Sequence, residues 1–103
     1  MIHHIVLFKF YPQTKPEQIE ELSRALLVLK GQIPGIVNYV WGPSVSIEPY
    51  GKGYTHGFIM TFGNEADRNN YVPHPLHKEL IAKYVDPICE DGIVFDLYEP
   101  DKN

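Results

Sequence analysis

Residues 2–10 read as a β-strand that is apolar on both faces, and this excludes most ways of folding so short a chain. The run His4-Ile5-Val6-Leu7-Phe8-Lys9-Phe10 is rich in branched and aromatic residues and carries no helix signal. Side chains alternate along a strand, so His4, Val6, Phe8 and Phe10 share one face while Ile5 and Leu7 occupy the other. A sheet with one wet face alternates apolar with polar; this strand does not, so both of its sides are expected to be covered. The chain has 103 residues, enough for a single domain spanning 1–103. Chains of that size bury only roughly 60–70% of the surface their unfolded state exposes. One set of helices can cover one face, which leaves the other in need of a cover from elsewhere.

The remaining punctuation sets the order of elements. Thr14 followed by Glu17 fits a capping box, and Pro16 suits the first turn of a helix. Ile19, Leu22, Leu26, Leu29 and Ile33 recur at spacings of three and four, one apolar stripe that ends at Pro34-Gly35. Residues 36–42 form a second strand, and 43–53, with two prolines and two glycines, an extended edge and a turn. Residues 54–62 alternate as a third strand. Residues 65–72 and 76–85 are two short helical pieces, and 93–98 a last strand after a loop marked by Pro87 and Gly92. Glu99–Asn103 is expected to fray. The order β-α-β-β-α-β is that of an α+β ferredoxin-like domain, an antiparallel sheet with helices on one face. Its bare apolar face is expected to pack against a second copy of the same sheet, giving a homodimer with a barrel-like core.

Composition narrows the partners. The hydrophobic fraction is 44% and the formal net charge −4, with no basic run, so nucleic acid is not an expected partner. No apolar run reaches membrane-spanning length, and Met1-Ile2-His3-His4 leads straight into a strand, so neither a membrane nor a signal peptide is expected. Cys89, the lone cysteine, can form no intramolecular disulfide, sits among apolar residues as packing, and suits a reducing cytoplasmic setting. Seven tyrosines and five phenylalanines point to a cavity wall or a core completed across a subunit interface.

The segment Tyr71-Val72-Pro73-His74-Pro75-Leu76-His77 holds the most chemistry. Its prolines stiffen the backbone and push it out of helical geometry, so Tyr71 and His77 are held at a constant separation. A phenol and an imidazole are well suited to moving a proton near neutral pH and steadying a carbonyl oxygen. The plain alternative is a polar loop that happens to contain histidines. His74 and His77 could ligate a metal, but Pro75 separates them and no third ligand has the right spacing, so no metal site is expected. Asp96 is a carboxylate in an apolar strand, which either seeks a donor partner or simply points outward. His4 is a candidate for that role or a strand-end histidine satisfied by backbone or water. His56 shares a face with Phe58 and Met60 and is expected at the dimer interface. His3 is expected to be exposed and silent.

The opening His4-Ile-Val-Leu-Phe-Lys-Phe, the strand Gly53-Tyr54-Thr55-His56, the segment Tyr71-x-x-His74-Pro75-x-His77 and the ending Phe95-Asp96 together resemble the stress-responsive dimeric α/β-barrel (Dabb) family over nearly the whole chain. The resemblance implies a homodimeric ferredoxin-like barrel. Most members have no assigned activity; one is a cofactor-independent polyketide cyclase that performs an intramolecular aldol condensation. By likeness to it, Tyr71 and His77 would be the catalytic pair, with His4 and Asp96 in support. His77 would act as base and Tyr71 as donor to the oxygen that gains charge. Phe8, Leu26, His56, Phe58 and Met60 would then wall a pocket for a small-molecule ligand. The chain departs from the cyclase at Leu26, where the cyclase has an active-site tyrosine, and at Leu22 and Ser23, where it has two phenylalanines. The loop before the last strand is also one residue longer. Two other expectations stand beside this lyase-like one: a non-catalytic stress-responsive dimer, and, by fold analogy, a cofactor-free monooxygenase. Each requires no cofactor.

Overall fold

The computed structural model describes residues 1–101. Four strands form one antiparallel sheet: β1 (Ile2–Phe10), β2 (Ile36–Pro43), β3 (His56–Phe62) and β4 (Cys89–Tyr98). Their order is β2-β3-β1-β4, so the first strand is central and is paired on both edges. Three α-helices, α1 (Pro16–Gln32), α2 (Glu65–Tyr71) and α3 (Pro75–Leu80), complete the ferredoxin-like order, with a π-helical turn over Ile81–Val85.

The apolar stripe of α1 lands as its spacing requires: Leu22, Leu26 and Leu29 are buried, and Ile33 closes the helix. The start of α1 differs from expectation. Lys15 is the N-cap and its backbone N–H donates to Gln18 Oε1 at 2.9 Å. Thr14 lies one residue earlier, its hydroxyl donating to the Ile88 carbonyl at 3.3 Å, so it ties the turn to the loop before β4 rather than capping the helix. Pro16 does occupy the first turn. After α1, Gly35 has φ +95°, a conformation that Cβ-bearing residues rarely adopt.

The helix-facing side of the sheet holds Ile2, His4, Val6 and Phe8 from β1 with Phe58, Met60 and Phe62 from β3, all buried. Residues directly opposed in an antiparallel pair share a face. Ile5 opposes Ile59 and Phe95, and Leu7 opposes Ile93, so these side chains form the second face, which no helix among the described residues covers. It is apolar and open: Leu7, Val40, Ile59, Ile93, Phe95 and Leu97 are all exposed, Phe95 to 59%.

Three local expectations are corrected. The strand β4 begins at Cys89 rather than at residue 93, because its first residues pair with Phe10 and Lys9 across a register shift. His3 is half-buried and engaged: Nε2 donates to Glu99 Oε1 at 2.7 Å, and Nδ1 meets Thr61 Oγ1 at 2.9 Å. Glu99 is also held by Met1, whose amino group donates to its carbonyl at 2.8 Å and whose carbonyl accepts from its N–H at 2.9 Å. Of the tail expected to fray, Lys102 and Asn103 lie outside the described residues.

Candidate active site

Two prolines shape the turn between α2 and α3. Tyr71 is the last residue of α2, and the His74 N–H bonds back to its carbonyl at 3.1 Å. Pro75 then opens α3, where its missing N–H removes nothing, and the His74 Nδ1 caps that helix by accepting from Leu76 N at 3.1 Å. His77 therefore sits in the first turn of a helix, in keeping with the helical piece expected over 76–85, and the non-helical stretch is confined to residues 72–74 instead of running through the whole proline segment. The result is a fixed face-to-face approach: the Tyr71 and His77 rings lie 4.2 Å apart, centroid to centroid, at 33°.

The hydrogen bonds assign the nitrogens of His77. Nδ1 donates to the Val72 carbonyl at 2.9 Å, which leaves Nε2 as the lone-pair nitrogen, with no partner among the described residues. Burial pushes the imidazole below its ordinary value, against the opposing pull of the Val72 carbonyl, and His4 and His74 add to the depression. Tyr71 is fully buried and its hydroxyl has no hydrogen-bond partner among the described residues. Burial drives its pKa upward, so it remains a protonated donor.

A second set of groups borders the pair. His4 stands in β1 opposite Asp96 of β4, and His4 Nδ1 donates to Asp96 Oδ1 at 2.6 Å. Asp96 Oδ2 accepts from Arg68 Nη1 of α2 at 2.8 Å. Burial acts to raise the Asp96 carboxyl, but the hydrogen bonds and charges of His4 and Arg68 outweigh it and hold the group below the usual carboxylate range. The His4 ring packs edge-on to Tyr71, with centroids 5.7 Å apart. Arg68 went unnoticed in the sequence because a lone arginine on a short polar helix looks like any solvated charge. The signal available was Asp96 itself, a carboxylate in need of a cation.

These groups open on a cleft of about 440 Å³ between the sheet and the helical layer. His4, Tyr71, His77 and Asp96 line it, as do Phe8, Leu26 and Phe58, which wall the space without filling it. The π-helical turn adds Ile81 and Val85. Met60 and His56 stand apart from the cleft. Met60 is sealed in the core at 0% exposure. His56 opposes Phe8 on the helix side of the sheet, between Phe10 and Trp41 at 5.4 and 5.9 Å, so it is neither on the open face nor in the cleft. Leu22 is wholly buried, and Ser23 is engaged with the Tyr39 hydroxyl at 3.3 Å. Among the described residues no group of three His, Cys, Asp or Glu side chains is arranged to hold a metal ion. Likewise no described helix is long and apolar enough to cross a membrane.

The family model of the stress responsive A/B barrel domain (Dabb) matches residues 2–99. The chain belongs to this family. The stress-response A/B barrel domain-containing protein HS1 of Arabidopsis thaliana is 32% identical over 96% of this chain and 89% of its own length. Olivetolic acid cyclase of Cannabis sativa is 29% identical over 74% of this chain and 75% of its own. Among solved structures, the hydroxynitrile lyase of Passiflora edulis superposes with a TM-score of 0.86 at 26% identity, over 99% of this chain and 95% of that one. A protein of unknown function from Jannaschia sp. CCS1, described as dimeric and ferredoxin-like, gives 0.83 at 25% identity, over 95% of this chain and 98% of that one.

Proposed function

We propose that this Dabb protein is a cofactor-independent catalyst of carbon–carbon bond formation next to a carbonyl, with His77 as base and Tyr71 as donor to the carbonyl oxygen. The observation that carries this reading is the buried Tyr71 hydroxyl with no partner, set against an imidazole whose Nε2 is unoccupied. A buried, unpaired hydroxyl costs about 1–3 kcal/mol. An acceptor oxygen from a ligand in the cleft would relieve that cost, and most strongly when the oxygen bears developing negative charge.

The steps follow from the two groups. His77 Nε2 takes a proton from a carbon flanked by two carbonyls while Tyr71 O–H donates to the oxygen that becomes the enolate. The enolate carbon attacks a second carbonyl of the same chain and closes a ring. The new alkoxide recovers the proton from the His77 imidazolium; that hydroxyl then leaves with a neighbouring carbon-bound proton as water, and enolisation of the remaining ring ketones gives the aromatic ring. His4, held by Asp96, borders the ring of Tyr71 and is placed to steady it. Olivetolic acid cyclase is similar in sequence and the Passiflora hydroxynitrile lyase similar in fold. Hydroxynitrile cleavage is the second reading: His77 Nε2 would take the hydroxyl proton while Tyr71 O–H donates to the same oxygen, the bond from carbon to the nitrile breaks as the carbonyl forms, and the departing cyanide recovers the proton from the imidazolium.

The assembly belongs to the same proposal. Two copies would meet through the open faces carrying Leu7, Ile59 and Phe95, in line with the dimeric description of the Jannaschia relative. The test is turnover of a linear β-triketo thioester, followed by the ultraviolet absorbance of the aromatic product, with mandelonitrile cleavage measured in parallel. Ring closure that is lost in His77→Ala supports the cyclase reading. Cyanide release alone favours the lyase. Absence of both in a folded dimer favours a non-catalytic protein, and oxygen uptake with a polyphenol would favour a monooxygenase.

A further inference from the structure

A second groove lies between the first turns of α1 and the edge strand β2, and it shares no lining residue with the cleft. Tyr39 O–H donates to the Ser23 carbonyl at 3.1 Å and ties the helix to the strand. Beyond that tie, toward Pro43, the two elements leave a space of about 580 Å³. Its floor is aromatic. Trp41 opposes Phe58 and Pro43 opposes His56, so all four lie on the helix side of the sheet. The half-buried Trp41 ring rests against Phe8 and His56, with centroids 5.8 and 5.9 Å away at 39° and 32°. Those supports hold the indole as a fixed platform, and Trp41 and His56 both line the groove.

The facing wall is polar. Glu20 and Arg24 stand one turn apart on α1, both exposed, and neither has a hydrogen bond or ion pair among the described residues. His56 Nδ1 meets the Thr55 hydroxyl at 2.9 Å, its Nε2 has no partner among the described residues, and burial favours the neutral ring. The groove thus offers one carboxylate, one guanidinium and an uncharged imidazole. An anion there would meet Glu20, and a cation Arg24. A wholly apolar ligand would take both charges out of water with nothing in return. An uncharged molecule with a non-polar face and a rim of hydroxyls meets each requirement. A pyranose with equatorial hydroxyls is such a molecule. Its axial C–H bonds form a flat, slightly positive face that suits the negative face of an aromatic ring. Its neighbouring hydroxyls can accept from a guanidinium and donate to a carboxylate.

We infer that this groove binds a pyranoside of the β-glucose type, stacked on Trp41 and held through its hydroxyls by Glu20 and Arg24. The inference does not depend on the chemistry of Tyr71 and His77.

Trp41 is the only tryptophan, so the intrinsic fluorescence of the full chain reads this groove directly. Titration with cellobiose is expected to give a saturable blue shift with a Kd on the order of 1 mM. Saturation transfer from the protein to the ring C–H protons of the sugar is expected alongside it. Glu20→Ala/Arg24→Ala changes two exposed helical positions to the best helix former, so circular dichroism should be retained. Its affinity for cellobiose is expected to fall by about tenfold, the size of a lost charge-assisted hydrogen bond. No saturable shift, or one that glycerol reproduces, overturns the inference. So does full affinity in the double variant. A shift with benzoate or phenylalanine that the sugar does not produce would assign the groove to a charged ligand and overturn it equally.

Discussion

Tyr71 and His77 make opposite demands on stability and activity. Tyr71→Phe deletes a buried hydroxyl that has no partner, so the folded state is expected to gain about 1 kcal/mol while the rate falls by roughly 10²-fold. Thermal denaturation and single-turnover rates on the same sample check both halves; a destabilised variant would show that the hydroxyl is satisfied in the free protein. His77→Ala should abolish turnover and cost about 1 kcal/mol, since the ring is half-buried against Tyr71. The pH profile has a defined sign. Because burial lowers the His77 pKa from its ordinary 6.5, the base stays unprotonated to a pH below that value, and kcat/KM should fall only on the acid side of it. A profile whose acid limb lies above pH 6.5 would assign the proton transfer to another group. Arg68→Met leaves Asp96 with one partner instead of two. Its carboxyl should titrate at higher pH, visible by carbon NMR, and the proton-transfer rate should fall with substrate affinity little changed.

At the scale of elements, each strand and helix is legible where periodicity and packing agree. The stripe of Leu22, Leu26, Leu29 and Ile33 and the two-faced apolar pattern of β1 both correspond to the sides they bury or leave open. Boundaries were harder wherever a tertiary bond decides them. Thr14 is drawn to Ile88, so the cap falls at Lys15, and the first residues of β4 are strand because Phe10 and Lys9 are there to pair with them. Pro75 was legible as a break but equally serves as the first residue of a helix, and nothing local decides between the two. The pairing of His4 with Asp96 depends on a strand register between residues far apart in sequence, and that of Arg68 on where α2 docks. Gly35 offers a direct test of the α1–β2 junction. A Cβ there would lie 2.5 Å from Asp67 Cγ, on a backbone with φ +95°. Gly35→Ala is expected to cost about 2 kcal/mol, read as a lowered denaturation midpoint.

For the whole molecule, the open sheet face decides what the working unit is. A face carrying Leu7, Ile59, Ile93, Phe95 and Leu97 together to solvent is the kind of contiguous apolar patch that marks an interaction surface. Phe95→Glu, at a residue 59% exposed in the single chain, is expected to convert a dimer into a monomer in sedimentation equilibrium while far-ultraviolet circular dichroism is retained. A native protein that already sediments as a monomer would remove the dimer. The strand order carries a consequence for synthesis. The central strand is the earliest made, yet its two neighbours, β3 and β4, emerge from the ribosome after it. Until they arrive, the nascent chain holds a stretch apolar on both faces with neither edge bonded, and it cannot begin to close its sheet before β3 is translated. The opening strand is therefore the segment on which a co-translational chaperone has most reason to act.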